Sequence, residues 1–326
     1  MDITTTNSDD IRWMRRALQL ASYGWGRTSP NPMVGAVIVS ADGRVIGEGW
    51  HRRYGGPHAE VQAFANVSPA DEHLLPEATI YLTLEPCSHY GKTPPCANLI
   101  VAKGVRRCVV ACGDPNPKVS GRGIDIIRKA GIEVVTGVLE EESLWLNRRF
   151  MTSQTLRRPW VLLKWAESAD GFIAAANPEY PAKNGATEFV PVALSTPLSA
   201  VLMHRERAEC DAILVGTNTV IADRPSLNTR LWPGNSPRPV IFSSPRIPED
   251  ITFAGRKPII LDPAIPLREN MERLFADHGI TSLMVEGGRD TLMRFIEARL
   301  FDEIRQEISA VTLHEGLPHP SPFPLS

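Results

Sequence analysis

The residues with the clearest chemical potential are one histidine, one glutamate and two cysteines. His58 and Glu60 lie two positions apart, and Cys87 and Cys96 follow later in the sequence. One imidazole and two thiolates can hold Zn²⁺ and leave a fourth position for water, whose pKa the metal lowers toward neutrality. The order H-x-E, then P-C and a second cysteine, is typical of zinc deaminases. We therefore expect zinc at His58, Cys87 and Cys96, with Glu60 passing a proton from the water to a departing amine.

The alternative interpretation is a pair of buried free cysteines beside an ordinary loop histidine. Five features oppose it: the H-x-E order, the proline before Cys87, the second cysteine, the Gly-Pro pair before His58 and the strand-like run before Cys87. The spacing departs from the deaminase signature, because eight residues separate the two cysteines where the signature has two. The longer loop indicates a relative of the cytidine deaminases rather than an ordinary member.

These residues are expected where strands and helices meet. The sequence pattern predicts a helix that begins at His58 and continues to Ala65, and a strand over Thr79–Leu84 that delivers Cys87. Such junctions are the usual location of sites in α/β folds. Further elements predicted in the first half are a helix over Ile11–Ala21 capped by Asp9 or Asp10, strands over Ala36–Val39, Val45–Trp50, Gly104–Ala111 and Ile132–Thr136, a helix ended by Gly131, and a helix over Glu140–Phe150.

Several polar residues near the expected metal site have two interpretations. Asn31 is either a turn residue or a ligand for the edge of a heterocycle, since an amide both donates and accepts. His89 and Lys92 lie between the two cysteines, and we favour substrate contact for both over a solvated loop. Lys92 would suit a phosphate. The segment Gly113–Pro117 is either a turn or a substrate-binding loop.

The second half shows another series of elements and no second metal motif. The run Asp211–Gly216 is almost continuously apolar, as in a buried strand of a parallel sheet, and its terminal glycine lets the backbone approach a phosphate. Gly287-Gly288 before a helix is a weaker indication of an anion site. Further predicted elements are strands over Trp160–Ala166, Val240–Phe242, Pro258–Leu261 and from Thr281 to the glycine pair, helices over Leu198–Arg207 and Thr291–Ala298, and a loop over 174–193.

Composition places the chain among ordinary globular proteins. Its 326 residues suggest two domains, and a net charge of −2 offers no basic field for nucleic acid, which leaves small molecules as substrates. The polar start of the sequence has no signal-peptide core, and no apolar run approaches the roughly 20 residues of a spanning helix. We therefore expect no membrane association and a cytoplasmic location. Five cysteines make a poor disulfide framework. Three of them, Cys108, Cys112 and Cys210, are interpreted as thiols without a metal role.

Residues 1–150 resemble the deaminase domain of the bifunctional riboflavin-biosynthesis family RibD, within the cytidine-deaminase superfamily. The matching stretches are N-P-x-V-G at Asn31–Gly35, H-A-E at His58–Glu60, T-L-E-P-C-S-H-x-G-x-T-P-P-C at Thr83–Cys96 and D-P-N-P at Asp114–Pro117. The resemblance implies a 2,5-diamino-6-ribosylamino-4(3H)-pyrimidinone 5′-phosphate substrate that loses its 2-amino group as ammonia. It also implies zinc at the three positions above, Glu60 as proton shuttle, and substrate contacts at Asn31, His51, Glu60, His89, Lys92, Asp114 and Asn116.

Residues 151–326 resemble the reductase domain of the same family, which has a dihydrofolate-reductase-like fold and uses NADPH. The matching stretches are L-K-x-A-x-S-x-D-G at Leu163–Gly171, D-A-I-L-V-G-T-x-T-V at Asp211–Val220, D-x-P-x-L-x-x-R at Asp223–Arg230 and V-E-G-G at Val285–Gly288. The cofactor positions implied are Ala166, Thr219, Gly288, Arg289, Asp290, Thr291, Leu292, Met293 and Arg294. The positions implied for the ribosyl phosphate substrate are Ser168, Arg207, Asp223, Leu227, Arg230 and Glu286.

The second half departs from its family at two places. Ala193 occupies a position, just before Leu194-Ser195-Thr196-Pro197, where the family often has a tryptophan. The cofactor contacts of this loop are therefore expected to differ from those of the family. Relatives also usually run on into a final strand, whereas this sequence ends in a proline-rich tail.

The predicted fold class is α/β, with a cytidine-deaminase-like α/β/α domain followed by a dihydrofolate-reductase-like α/β domain. The predicted function is two consecutive steps of riboflavin biosynthesis, with one zinc ion per chain and NADPH as cofactors and a homodimer or homotetramer as the family's assembly. One alternative is a tRNA or nucleoside deaminase with an unrelated second domain. Another is a non-catalytic zinc-stabilised binding module, for which His89 would be the nearest fourth ligand.

Overall fold

The structure, a computed structural model, describes residues 7–88, 94–115, 120–177, 189–243 and 251–321. The chain divides into two compact units, Met1–Leu156 and Arg157–Ser326. The boundary predicted between residues 150 and 151 falls inside the helix Arg148–Leu156 of the first unit. In the part of the chain that the structure describes, no helix is long and apolar enough to span a bilayer.

A five-stranded sheet forms the centre of the first unit. Its strands are β1 (Gly35–Val39), β2 (Val45–Trp50), β3 (Thr79–Leu84), β4 (Arg107–Cys112) and β5 (Glu133–Thr136). The helices of the unit are α1 (Ser8–Ser22), α2 (Ala59–Ala65), α3 (Cys96–Lys103), α4 (Arg122–Lys129), α5 (Glu140–Leu146) and α6 (Arg148–Leu156), with a short 3-10 helix over Glu72–Glu77. The strand order is β2-β1-β3-β4-β5, with β1 antiparallel to both neighbours and β3, β4 and β5 mutually parallel.

Alternate side chains of the central strands enter two separate cores, one on each face of the sheet. Ile38 and Ile80 lie in the core to which α2, α3 and α4 contribute. Val37 and Tyr81 lie in the core to which α1 contributes. Because side chains alternate between the faces of a strand, a strand covered on both sides such as β1 is buried at every position. The first unit therefore has the α/β/α layers expected from the sequence.

Two helix ends in the first unit differ from the prediction. The N-cap of α1 is Asn7 rather than Asp9 or Asp10, and the Asn7 side chain accepts a hydrogen bond from Asp9 N at 3.2 Å. The two aspartates instead lie in the first turn, where a negative charge favours the helix dipole. The strand predicted from Gly104 starts only at Arg107, because Gly104 ends α3 in a left-handed conformation (φ 64°).

The single helix predicted over Glu140–Phe150 is two helices, separated at Asn147. The Asn147 side chain accepts a hydrogen bond from Met33 N at 2.8 Å and donates one to Met33 O at 2.9 Å. These bonds tie Asn147 to the chain just before β1, and its backbone leaves the helical region (φ −98°, ψ 16°). The helix therefore ends at Asn147, where the side chain forms hydrogen bonds with the backbone of Met33, a residue distant in sequence.

Two sheets form the second unit. The strands are β6 (Trp160–Glu167), β7 (Phe172–Ala176), β8 (Phe189–Val190), β9 (Ala212–Gly216), β10 (Arg238–Phe242), β11 (Ile259–Leu261), β12 (Ser282–Val285), β13 (Glu303–Ile308) and β14 (Gly316–Pro318). The helices are α7 (Pro197–Glu209), α8 (Thr217–Asp223), α9 (Leu267–His278) and α10 (Arg289–Glu297). The larger sheet is entirely parallel in the order β11-β10-β9-β12-β6-β13, and the smaller is antiparallel in the order β14-β7-β8.

The centre of the parallel sheet is β9, whose five residues are all buried. This confirms the interpretation of the apolar run that ends at Gly216. The prediction of a loop over 174–193 was wrong for its ends, because β7 and β8 pair with each other and β7 pairs with β14. Residues 178–188 lie outside the described part. The sequence analysis also missed β13, an edge strand whose many charged residues hide the apolar pattern.

Candidate functional site

Three different elements bring His58, Cys87 and Cys96 together. His58 is the N-cap of α2, Cys96 is the first residue of α3, and Cys87 lies on the loop that follows β3. One ligand atom from each residue lies within 4.8 Å of the others. Among the described residues this is the only such group of potential metal ligands. The junctions that the sequence predicted for the ligands are therefore the ones that form the cluster.

The geometry of this cluster fits a zinc ion. His58 Nδ1 lies 3.4 Å from Cys96 Sγ and 3.7 Å from Cys87 Sγ. Around a tetrahedral zinc with ordinary Zn–N and Zn–S bonds, a nitrogen and a sulfur ligand are about 3.6 Å apart. Hydrogen bonds from the Cys96 thiol and from His58 outweigh burial and lower the pKa of the Cys87 thiol. Cys87 therefore favours the thiolate form that metal binding requires, whereas its hydrogen bond with Cys96 and burial raise the pKa of the Cys96 thiol.

Glu60 lies beside the three ligands, in the first turn of α2. Its side chain is buried, with 3% of its surface exposed. Burial raises the pKa of the Glu60 carboxyl, and the negative charge of Cys87 raises it further. A carboxyl with a raised pKa gains and loses a proton closer to neutral pH than an exposed glutamate does. The chemistry available to Glu60 is thus proton transfer next to the metal ligands.

Asn31 and His51 form a hydrogen-bonded pair close to the metal cluster. His51 is buried, and its Nδ1 lies 3.0 Å from Pro57 O, so this nitrogen carries the proton. The other ring nitrogen, Nε2, then accepts a hydrogen bond from Asn31 Nδ2 at 3.2 Å. Burial lowers the pKa of His51, which keeps the ring neutral. The His51 and His58 rings also contact edge to face, with centroids 5.7 Å apart. His51 therefore fixes the orientation of the Asn31 amide.

Of the remaining predicted substrate residues of the first unit, the structure describes Asp114. Asp114 follows β4, and its backbone N–H donates to the Glu85 carboxylate at 3.3 Å. Three predicted contacts, His89, Lys92 and Asn116, lie outside the described residues.

A cavity of about 900 Å³ opens in the second unit, where β9 and β12 end. Its walls include most of the predicted cofactor positions: Ala166, Thr219, Gly288, Arg289, Asp290, Thr291 and Arg294. Two of the predicted substrate positions, Asp223 and Glu286, also line it. The structure thus brings together residues that the sequence had placed in four separate motifs.

Glycines allow α10 to begin directly against the end of β9. A Cβ at Gly216 would lie 2.6 Å from Thr291 Oγ1, and one at Gly287 would lie 2.8 Å from Thr291 Cβ. Gly288 N donates a hydrogen bond to Thr219 Oγ1 at 3.0 Å, which joins the starts of α8 and α10. Because a helix N-terminus attracts negative charge, this wall of the cavity suits a phosphate-bearing cofactor.

Arg207 and Glu286 form a partly buried ion pair with two parallel hydrogen bonds. Arg207 Nε donates to Glu286 Oε1 at 2.7 Å, and Nη2 donates to Oε2 at 2.5 Å. Burial opposes ionisation of Glu286, but the hydrogen bonds and charge of Arg207 hold its pKa below the ordinary value. Asp223 shows the opposite behaviour, because burial raises its pKa. Glu286 is therefore held as an anion, whereas Asp223 in the same cavity accepts a proton more readily than an ordinary aspartate.

Other predicted residues of the second unit lie away from the cavity walls. Ser168 is fully buried and donates to Asp170 Oδ1 at 2.6 Å. Leu227 and Leu292 are buried in apolar clusters. Met293 packs against the same cluster as Leu292, and Arg230 makes exposed contacts with Ser226 and Asn228.

Two residues that the sequence analysis did not assign belong to this neighbourhood. Lys164 lines the cavity, and a charge within the apolar strand β6 was the available signal. Arg256 donates to the carbonyl oxygens of Ser226 at 2.6 Å and of Leu227 at 2.9 Å, and also to that of Pro237. It braces the segment that follows α8. Its partners are backbone atoms, so residue spacing gave no sign of this role.

Both units match families of known proteins. The profile described as "Cytidine and deoxycytidylate deaminase zinc-binding region" matches residues 7–112. The profile described as "RibD C-terminal domain" matches residues 159–315. Riboflavin biosynthesis protein RibD of Aquifex aeolicus is 37% identical over 332 residues, which cover 94% of this chain and 89% of the relative.

Solved structures agree with the fold over nearly the whole chain. Form 2 of Acinetobacter baumannii RibD has a TM-score of 0.84 at 33% identity, covering 98% of this chain and 91% of its own. A Thermotoga maritima protein described as a diaminohydroxyphosphoribosylaminopyrimidine deaminase/5-amino-6-(5-phosphoribosylamino)uracil reductase has a TM-score of 0.82 at 35% identity, covering 95% and 89%. These likenesses confirm the predicted fold class.

Proposed function

The chain belongs to the RibD family of riboflavin biosynthesis proteins. On this basis we propose which residues carry out each of its two reactions. The protein is a bifunctional riboflavin biosynthesis enzyme with a zinc-dependent deaminase domain and an NADPH-dependent reductase domain. The first unit deaminates 2,5-diamino-6-ribosylamino-4(3H)-pyrimidinone 5′-phosphate. The second unit reduces the ribosyl group of 5-amino-6-(5-phosphoribosylamino)uracil to a ribityl group.

In the deaminase site, His58, Cys87 and Cys96 hold the metal. Zinc, when bound, lowers the pKa of a water and so supplies a nucleophile near neutral pH. Glu60 takes a proton from the water as the water oxygen bonds to C2, and it passes this proton to the adjacent ring nitrogen. It then carries the remaining hydroxyl proton to the 2-amino group, which leaves as ammonia as the C2 carbonyl forms. His51 holds the Asn31 amide toward the edge of the ring, and Asp114 contributes a further polar contact. His89, Lys92 and Asn116 complete the set of proposed substrate contacts.

One observation carries the deaminase proposal. A buried carboxyl, Glu60, lies beside three ligands whose distances suit zinc. A purely structural zinc site has no use for an acid–base group of this kind and normally offers a fourth Cys or His. The non-catalytic binding module is disfavoured for this reason.

In the reductase site, the 900 Å³ cavity holds the cofactor and the ribosyl phosphate together. NADPH, when bound, supplies the hydride that reduces C1′ of the opened ribose. The starts of α8 and α10, with Thr219 and Gly288 to Arg294, hold the cofactor, and Ala166 lines its site. Arg207 and Arg230 grip the substrate phosphate, since a guanidinium donates two parallel hydrogen bonds to it. Asp223 and Glu286, which line the cavity, are the further substrate contacts that we propose. Ser168 and Leu227, which the family resemblance also implies, are buried outside the cavity walls.

Ammonia release and NADPH oxidation on the phosphorylated pyrimidine test this function directly. The purified protein is assayed with the authentic substrate, with cytidine and with adenosine. Ammonia from the pyrimidine phosphate, followed by NADPH oxidation, supports the proposal. Ammonia from cytidine or adenosine alone would favour the nucleoside deaminase alternative, which the match of residues 159–315 already disfavours.

The substrates are small molecules of the riboflavin pathway. The proposal also covers the oligomeric state of the protein and its location in the cell. All five cysteines are free thiols, as a reducing cytoplasm maintains them. We infer a cytoplasmic homodimer or homotetramer. Analytical ultracentrifugation and cell fractionation test these two points.

A further inference from the structure

Glu85 is a buried carboxylate for which the proposed mechanism has no use. It lies between β3 and Cys87, with 4% of its surface exposed. Its Oε2 accepts hydrogen bonds from the backbone N–H groups of Asp114 at 3.3 Å and Gly121 at 3.0 Å. Its Oε1 accepts from Gly123 N at 3.0 Å. One side chain therefore binds three separate points of a segment distant in sequence.

Asp114 and Gly121 are seven positions apart, and both contact the same oxygen atom of Glu85. Between them lies Asn116, which with Asp114 supplies the proposed substrate contacts of this loop. Hydrogen bonds from N–H groups to a carboxylate are stronger than those to neutral acceptors. The positions of Asp114 and Gly121 thus depend on a single carboxylate.

The start of α4 approaches the chain beside Cys87 so closely that only glycine fits. A Cβ at Gly123 would lie 2.0 Å from Pro86 O. Gly121 has a positive φ of 77°, which lets the chain turn into the helix. These contacts explain the Gly-Arg-Gly sequence at the start of α4, where Gly121 is the N-cap. They also hold the segment directly against the residues that lead into the first cysteine ligand.

We propose that Glu85 is a positioning residue that sets Asp114 and the start of α4 at a fixed place relative to the metal ligands. The inference rests on the proposed deaminase function. Glu85 touches neither the metal nor the pyrimidine. It acts through Asp114, whose backbone it holds so that the ring can lie with C2 facing the nucleophile.

The test is the full-length Glu85→Gln variant, which keeps the size of the side chain and removes its charge. Weakening the charge-assisted hydrogen bonds should raise the deaminase KM about tenfold, with kcat within about threefold of wild type. Zinc content per chain and the rate of NADPH oxidation should stay unchanged. Hydrogen exchange of the 114–124 backbone should accelerate.

Two comparisons separate positioning from simple stabilisation. Asp10→Asn removes another buried carboxylate of the same unit, away from the substrate segment, and should leave the deaminase KM unchanged. If Glu85→Gln does not fold, Glu85→Asp keeps the charge with a shorter reach and should raise KM in the same way. An unchanged KM, or a loss of zinc in parallel with activity, would overturn the proposal. If the wild-type protein released no ammonia from the pyrimidine phosphate, the deaminase function itself would fail instead.

Discussion

The ion pair of Arg207 and Glu286 shows how one residue prepares another for a ligand. Glu286 occupies Nε and Nη2 of the guanidinium, and Asn228 O accepts from Nη1 at 3.2 Å. The arginine is thereby held in one orientation, which leaves its remaining N–H groups for the substrate phosphate that we propose as its ligand. The attraction between the Arg207 guanidinium and the Glu286 carboxylate also offsets part of the free energy of removing each charge from water.

Arg207→Lys should weaken substrate binding by the reductase without removing the positive charge. An ammonium cannot reproduce the planar pair of hydrogen bonds to Glu286, so the KM for the uracil substrate should rise about tenfold. Steady-state NADPH oxidation measures the change, and ammonia release by the first unit serves as the internal control. A KM equal to that of wild type would show that the bidentate geometry has no part in binding.

At this scale, the metal ligands could be predicted from the sequence, whereas the bracing residues could not. Residue type and spacing identify the ligands His58, Cys87 and Cys96, because few residue types bind zinc. Glu85 and Arg256 act on backbone N–H and carbonyl groups, which every residue possesses. Their roles depend on which distant segments of the chain contact each other, and the local sequence pattern does not indicate these contacts.

Among the elements of the first unit, α1 is fastened to the sheet by a buried polar network. Asp10 accepts two hydrogen bonds from Arg107 of β4, at 2.7 and 2.9 Å, and one from Tyr81 of β3 at 2.9 Å. Burial opposes the charge of Asp10, yet the bonds from Arg107 and Tyr81 hold its pKa below the ordinary value. Arg107 also pairs with Glu133 of β5, so the network crosses three strands.

Asp10→Asn should lower the free energy of unfolding at pH 7 by about 3 kcal/mol, because it leaves Arg107 partly unpaired. Asp10 has a lowered pKa in the folded state, so its contribution is present above the unfolded carboxyl pKa and is lost as the pH falls through the folded value. The difference between wild type and variant should therefore shrink as the pH is lowered from 7 toward 3.

Urea unfolding of the full chain, followed by hydrogen exchange in β4, measures this difference. Glu77→Gln is the matched control, because the Glu77 pair with Arg106 is exposed on both sides and should contribute less than about 1 kcal/mol. A difference between wild type and Asp10→Asn that stays constant with pH would contradict the assigned role of the charge.

The elements most easily predicted were those with local signals. Strands β2 and β3 have the predicted bounds because apolar runs and turns define them. The break at Asn147 and the pairing of β7 with β14 depend on partners far away in the chain. Tertiary contacts overrode the local pattern at these positions. This happens when a long-range contact stabilises the fold by more than the local helix propensity does.

At the scale of the whole molecule, each of the two compact units contains its own site. The metal cluster lies in the first unit and the large cavity lies in the second. Within the described residues, the group of potential metal ligands formed by His58, Cys87 and Cys96 has no counterpart in the second unit. The product of the first reaction is the substrate of the second, so one chain carries two independent chemistries in sequence.

Removal of zinc should therefore separate the two activities. Dialysis against a chelator should abolish ammonia release, while NADPH oxidation with 5-amino-6-(5-phosphoribosylamino)uracil should stay within about twofold of the untreated rate, since hydride transfer needs no metal. Added Zn²⁺ should restore deamination. Loss of both activities on chelation would show that the metal supports the second unit as well.

The most direct test of the account is the Glu60→Gln variant, assayed for bound zinc and for ammonia release from the pyrimidine phosphate. The account predicts one zinc per chain, as in wild type, and a rate of ammonia release lower by about 10²–10⁴-fold, because the amide cannot carry the proton. Undiminished ammonia release from a zinc-loaded variant would contradict the central claim that Glu60 moves the proton at this site.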